Sequence, residues 1–247
     1  MLVRSWKEFQ LLFLIQILEM RVFWIVTVLF SLIVPIVMVL GLGSMGNGQN
    51  HSGLLYIVTG STVVSLVTLG IVSLSQEMAQ MKIQGQFLYY ASLPISKISL
   101  LIAVLISRLL IQLPGILVIL FGGSFLYHLD FNITIWTFII ILLALFSLSG
   151  VGGVIGLALD PQIVPTLASI ALFGVLFGSP VLIPLHSFPL ALRWIGFLLP
   201  PTYVADALRG SLSGTNEIPM PLDIGILLLC TIISFVVIVR GVRWQLR

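Results

Sequence analysis

Apolar residues gather in six long runs, near positions 22–42, 54–75, 99–126, 135–158, 164–185 and 222–240. A helix of about 20 apolar residues crosses a hydrocarbon core of about 30 Å, so each run is long enough to span a bilayer. The runs are apolar on every face. They lack the short alternating segments of a membrane β-barrel and predict helices. A helix also satisfies its backbone polar groups within the segment, as lipid requires. The pattern therefore predicts an all-α polytopic membrane protein with six transmembrane helices.

Three stretches outside the runs are too apolar to be plain loops. In residues 1–21, Leu2, Trp6, Phe9, Phe13, Ile17 and Met20 recur at three- and four-residue steps. Arg4, Lys7, Glu8 and Glu19 lie on the other side, which suits a helix lying in the membrane interface. Residues 76–98, QEMAQMKIQGQFLYYASLPISKI, mix Glu77, Lys82 and glutamines with Met78, Met81, Phe87, Tyr89 and Tyr90. So small a segment offers its apolar side chains little of its own chain to bury against. They form either a surface for a partner or an interfacial helix whose aromatics face headgroups. The third stretch, 186–212, is cut by Pro189 and by Pro200-Pro201 into pieces too short to cross a bilayer. Proline suits the first turn of a helix and ends the helix before it. Gly210 stands where a helix-ending glycine belongs. Asp206 and Arg209, three residues apart, share one helix face on which they are placed to pair. The stretch reads as two half-helices dipping into the outer leaflet, or as two helices lying flat on the membrane.

Composition agrees with the pattern. The 247 residues are 59% hydrophobic and 8% charged, against about 25% charged in soluble domains. A lone cysteine, Cys230, permits no intramolecular disulfide. The placement of the cations orients the chain. Arg4, Lys7, Arg21, Lys82, Lys97, Arg240, Arg243 and Arg247 fall on one set of connections, and Arg193 and Arg209 on the other. The positive-inside rule then makes both termini cytoplasmic and the 186–212 hairpin external. Trp24, Trp136, Trp194 and Trp244 fall near predicted span ends, as interfacial tryptophans do. Charges interrupt the first apolar residues, so the start is not a cleavable signal peptide. Residues 1–247 form one membrane domain.

The side chains carry little catalytic chemistry. No GxxxxGK[ST] phosphate loop occurs, so this chain does not hydrolyse ATP through one. SLSG at 147–150 lacks the first glycine of an intramembrane serine protease motif. His51, His128 and His186 all fall on outer connections, which excludes haem ligation between spans. No metal site, catalytic residue or nucleic-acid partner is expected. Arg108, with Gln112 one turn on, is the main ionisable residue within a span. It either lines a translocation path or snorkels to the headgroups. Asp130, Asp160 and Asp223 sit at span ends, so no buried acid is expected to carry protons. Gly152/Gly156 and Gly174/Gly178 are small-xxx-small pairs suited to close helix packing, within the chain or between chains. Pro35, Pro114 and Pro165 are expected kinks.

Two of these stretches carry a likeness. QEMAQMKIQGQFLYYASLPISK has an acid, then a glycine, then Leu93-Pro94-Ile95-Ser96-Lys97. FPLALRWIGFLLPPTYVADALRG has Trp194, Pro200, Tyr203, Asp206 and Arg209 in order. Together with the order of elements they resemble the ABC-2 type permeases of type V ABC exporters, closest to the drug-resistance permeases that work with a separate ATPase. The resemblance implies two permease chains, in a homo- or heterodimer, above two copies of an ABC ATPase in the plasma membrane. ATP and Mg would bind on the ATPase, and this chain would bind no cofactor. It also implies ATPase coupling by Glu77, Met81, Lys82, Gly85, Phe87, Leu93 and Pro94, braced by the N-terminal elbow helix. Pro189, Arg193, Trp194, Pro200, Pro201, Tyr203, Asp206 and Arg209 would form the outer gate. The cargo would be a hydrophobic or amphipathic drug, lipid or peptide. The reading from another class is a self-contained channel or ion-coupled secondary transporter.

Overall fold

The computed structural model describes residues 10–18, 51–92, 97–182 and 188–241, with positions 29, 33, 36, 37 and 39–41 between. Most of the first predicted span, the start of the elbow helix, Leu93, Pro94 and His186 lie outside the described residues. Among the described residues every regular element is helical. In chain order they are α1 (His51–Val67), α2 (Leu74–Ile83), α3 (Gln86–Ser92), α4 (Lys97–Leu117), α5 (Gly123–Tyr127), α6 (Ile135–Ala158), α7 (Val164–Gly178), α8 (Leu190–Leu198), α9 (Pro200–Ser213) and α10 (Met220–Gly241). Wider π-helical turns, Thr68–Ser73 and Val118–Gly122, join α1 to α2 and α4 to α5.

Among the described residues, three helices are long and apolar enough to cross a membrane: Gly53–Ile83, Ile135–Ala158 and Met220–Ile238. A fourth candidate is the pair Ile102–Arg108 and Leu113–Tyr127, bent by 47°. Pro114 accounts for that bend, because its ring clashes with the carbonyl four residues earlier and its nitrogen donates no hydrogen bond. Pro165 makes no kink. It opens α7, where a missing N–H costs nothing. At 15 residues, α7 is shorter than the run 164–185 suggested.

Among the described candidate spans, the α1–α2 helix is the most deeply buried. Its most apolar window is 83% buried, whereas that of α10 is only 22% buried. Polar side chains in this buried helix turn back on their own backbone: the Thr59, Ser61 and Thr62 hydroxyls donate to carbonyls four residues earlier. Around it, Val63, Leu66, Ile140, Leu148, Val204 and Leu208 form one apolar cluster. At the other end, Leu12, Met78, Met81, Tyr90, Leu100 and Val104 belong to a second. The methionines and Tyr90 of the 76–98 segment thus bury against their own chain, contrary to expectation, and α2 extends the helix to Ile83. Its polar residues ended the apolar pattern without ending the helix. Leu12 of the helical stretch 10–18 reaches this second cluster, while Leu11, Leu14 and Leu18 point outward.

Glycine sets the closest approach. A Cβ at Gly152 would overlap the Gly70 carbonyl oxygen, and one at Gly156 would fall 2.5 Å from the Ser75 carbonyl oxygen. The pair therefore packs α6 onto the α1–α2 helix within this chain. A Cβ at Gly174 would meet nothing within 4 Å among the described residues, and one at Gly178 would meet only the Ile195 and Leu199 side chains at 3.8 Å, so that pair sets no close helix approach among them. Gly152→Val should destabilise the protein by about 1–3 kcal/mol through overpacking against backbone. Gly174→Val should be nearly neutral. Thermal midpoints of the purified variants check this, and equal midpoints would refute the packing assignment.

Candidate functional site

The hairpin is built by its prolines. Pro189 takes an extended ψ of 148° ahead of α8, and Pro200 and Pro201 start α9 after a single extended residue, Leu199. Prolines at the first positions of a helix cost no hydrogen bond and fix φ. Leu190, Trp194 and Leu198 recur every fourth residue on α8 and are all more than 70% exposed. They form a stripe suited to lipid, with Trp194 as the interfacial residue. Arg193 lies half-buried beside them. Thr202 donates to the Gly196 carbonyl at 2.5 Å and lies 2.8 Å from the Ser179 hydroxyl. Tyr203 donates to the Phe197 carbonyl at 2.6 Å. Three elements are thereby fastened at the turn of the hairpin.

α9 does not stop at Gly210. It runs to Ser213, and Gly214 takes the left-handed φ of 72° that ends it. Gly210 serves close packing instead, since a Cβ there would sit 3.2 Å from the Asn216 Cβ. Asp206 and Arg209 do not pair. Arg209, 3% exposed, donates through both terminal nitrogens to the Pro180 carbonyl at 3.1 Å, and also to the Val181 carbonyl. Its Nε donates to the Thr59 hydroxyl at 3.3 Å, and its guanidinium lies 3.8 Å from the centre of the Tyr56 ring. The Tyr56 hydroxyl donates to Glu217 at 2.9 Å. Asp206 turns the other way and accepts from the backbone N–H groups of Glu217 and Ile218 at 2.9 and 2.7 Å. Each side chain of the expected pair thus ties α9 to a different segment. Beside them opens a cavity of about 610 Å³, lined among others by Tyr56, Asp130, Phe131 and Glu217.

Burial of Asp206 and Asp223, 5% and 0% exposed, corrects the expectation that no acid is buried. Asp223 sits in the first turn of α10 and Asp206 at the middle of the short hairpin helix α9, so position along the chain hid their burial. Tyr56, Thr59, Thr202, Glu217 and Asp223 all escaped the candidate set. The one signal for Tyr56 and Thr59 was their three-residue spacing within an apolar run.

A second polar junction lies at the far end of the α1–α2 helix. Arg108 grips Glu77 with two bonds, Nε to Oε2 at 2.9 Å and a terminal nitrogen to Oε1 at 2.6 Å. Arg108 precedes the bend of α4, so the pair joins α2 to the third predicted span at its weak point. It borders a cavity of about 330 Å³ with Ser73, Gln76, Gln80, Pro161 and Pro165. Gln112 lies on the same helix as Arg108, one turn on. Lys82 donates to the Leu157 and Leu159 carbonyls at 2.5 and 3.0 Å, satisfying the end of α6. Gly85 adopts φ 67°, which lets the chain turn sharply from α2 into α3. Met81 points inward and Phe87 packs half-buried against the second cluster. Ile83 and Tyr89, on either side of that turn, are 62% and 64% exposed. No group of three or more metal-ligating side chains occurs among the described residues.

No curated protein matches the sequence. The family model of the ABC-2 type transporter matches residues 7–213, which include the Arg108–Glu77 junction and the whole α8–α9 hairpin and stop short of Glu217 and Ile218. A multi-pass helical chain matched over most of its length in this way belongs to the ABC-2 type transporter family, as a membrane-embedded permease subunit that partners an ABC ATPase.

Proposed function

We propose that this chain forms the translocation path of an ATP-driven exporter for a hydrophobic or amphipathic cargo, a drug, lipid or peptide. Hydrolysis takes place on two copies of a separate ATPase beneath two permease chains in the plasma membrane. The topology is six spans with both termini cytoplasmic. The observation that carries this reading is the turn at Gly85. There the most buried of the described candidate spans ends in a short exposed turn flanked by Ile83 and Tyr89. Exposed apolar residues beside a buried lever are what an ATPase groove needs in order to push on the membrane domain. Glu77, Lys82, Gly85 and Phe87 hold that turn in place, with Leu93 and Pro94 following it, and the 10–18 helix braces it through Leu12. The hairpin of α8 and α9 is the outer lid, held by Arg209 and Asp206.

Reconstitution in liposomes tests the proposal. Transport should require both the partner ABC ATPase and ATP, and the permease alone should be inert. The buried Asp206 and Asp223 favour the second reading, an ion-coupled carrier or channel. Cargo flux through the permease alone, without nucleotide, would establish that reading and overturn the first.

A further inference from the structure

Asp223 stands in the first turn of α10, fully buried, and neither carboxyl oxygen meets a hydrogen-bond donor. The start of α10 is poor in donors because Pro219 and Pro221 have no N–H. α10 packs on α9, Asp206 of α9 holds the N–H groups of Glu217 and Ile218 just ahead of α10, and its carboxyl is the acidic group that bears on Asp223. Asp206 already accepts two backbone N–H bonds, yet a carboxylate has about four lone-pair sites and can accept again. Burying an isolated carboxylate without donors is costly, and two carboxylates in contact cannot both keep their charge. Arg209 offers no relief, because its guanidinium is committed to Pro180, Val181, Thr59 and the Tyr56 ring. The remaining titratable neighbours are Glu217 on the connection, Tyr56 on α1, Tyr203 on α9 and Cys230 on α10. None of them donates to Asp223. α6, which packs along α10, has no ionisable side chain from Ile135 to Ala158.

We propose that Asp206 and Asp223 form a proton-binding site: Asp223 holds one proton and donates it to the Asp206 carboxylate. The resulting carboxyl–carboxylate bond joins the hairpin to the last helix. The proton comes from the aqueous medium and returns there, with no other group changed. Its loss would set two negative charges against each other at the α9–α10 junction and part the hairpin from α10. The proton is thus a ligand of the closed hairpin, and lowering its concentration weakens that state by mass action.

Infrared spectroscopy of the purified full chain reads the proton directly. At neutral pH the wild-type protein should show the carbonyl stretch of a protonated carboxylic acid, and Asp223→Asn should lack that band. The band and the thermal midpoint of the wild type should fall together as the medium is made alkaline. In Asp223→Asn the amide keeps the bond to Asp206, so its midpoint should hold across the same range. Asp223→Leu has no donor and should lose several degrees at every pH. Should Asp223→Asn fail to fold, the joint alkaline loss of band and midpoint in the wild type carries the test. Absence of the band from the wild type, its persistence in Asp223→Asn, or loss of the band with no change in midpoint would overturn the proposal.

Discussion

Arg209→Met is expected to cost the protein more stability than any other single change to the hairpin. The side chain it replaces donates to two backbone carbonyls just beyond α7 and to a hydroxyl on α1, while its charge rests on the Tyr56 ring. Methionine fills much of the space but donates nothing. Each buried carbonyl left without a donor costs about 1–3 kcal/mol. The lost cation–π contact adds about 2 kcal/mol at a desolvated site. The sum is a large share of the roughly 5–15 kcal/mol that keeps a domain folded. Arg209→Lys should fall between, because an ammonium keeps the charge but cannot fork to both carbonyls and the ring at once. Thermal midpoints of the purified proteins would show the order wild type, lysine, methionine. Limited proteolysis should open the α8–α9 hairpin first in the methionine variant. A methionine variant within about 2 °C of the wild type, less than 1 kcal/mol for a chain of this size, would mean that the Arg209 contacts do not hold the hairpin.

The same residue marks where sequence reasoning stops. The prolines of the hairpin were legible because proline acts locally: it fixes its own φ and withholds its own N–H. The breaks at Pro189 and Pro200-Pro201 therefore fell where expected. The pairing of Asp206 with Arg209 was not legible. Spacing says that two side chains share a helix face, but not which partners compete for them. Pro180 lies 29 residues before Arg209, and Glu217 lies 11 after Asp206. Gly210 and Gly214 illustrate the same limit. Either could end α9; Gly214 does so with a left-handed φ, while Gly210 stays helical and lies against Asn216. At the other end, Glu77 and the glutamines near it read as the end of a span. The helix continues because Arg108, 31 residues on, neutralises Glu77 within the protein. The all-helical, membrane-embedded character followed from composition and run length, which need no long-range contact.

Glu77→Arg should uncouple transport from ATP hydrolysis, and adding Arg108→Glu should restore part of the coupling. The wild-type pair makes two charge-assisted bonds between α2 and the bent α4, with side chains 12% and 31% exposed for Glu77 and Arg108. Such bonds contribute about 1.5–3 kcal/mol each. Losing one shifts the balance between joined and parted helices by about ten- to a hundredfold. The reversal also sets two cations against each other beside the cavity at Pro161 and Pro165. Movement delivered to the Gly85 turn would then rock α2 without carrying α4 along. Hydrolysis by the full complex in liposomes should persist while cargo transport falls at least tenfold. In the double variant the pair re-forms with exchanged partners, and transport should recover without any change to the ATPase. That recovery separates two roles for Glu77. A residue that touches the ATPase would be lost in the single variant and equally lost in the double one. Failure of the exchange to recover transport, in a double variant that folds and binds its ATPase, would place the work of Glu77 at the ATPase surface instead of inside this chain. Phe87→Asp gives the complementary reading. It alters the α3 side of the turn without touching Arg108, so Arg108→Glu should not rescue it.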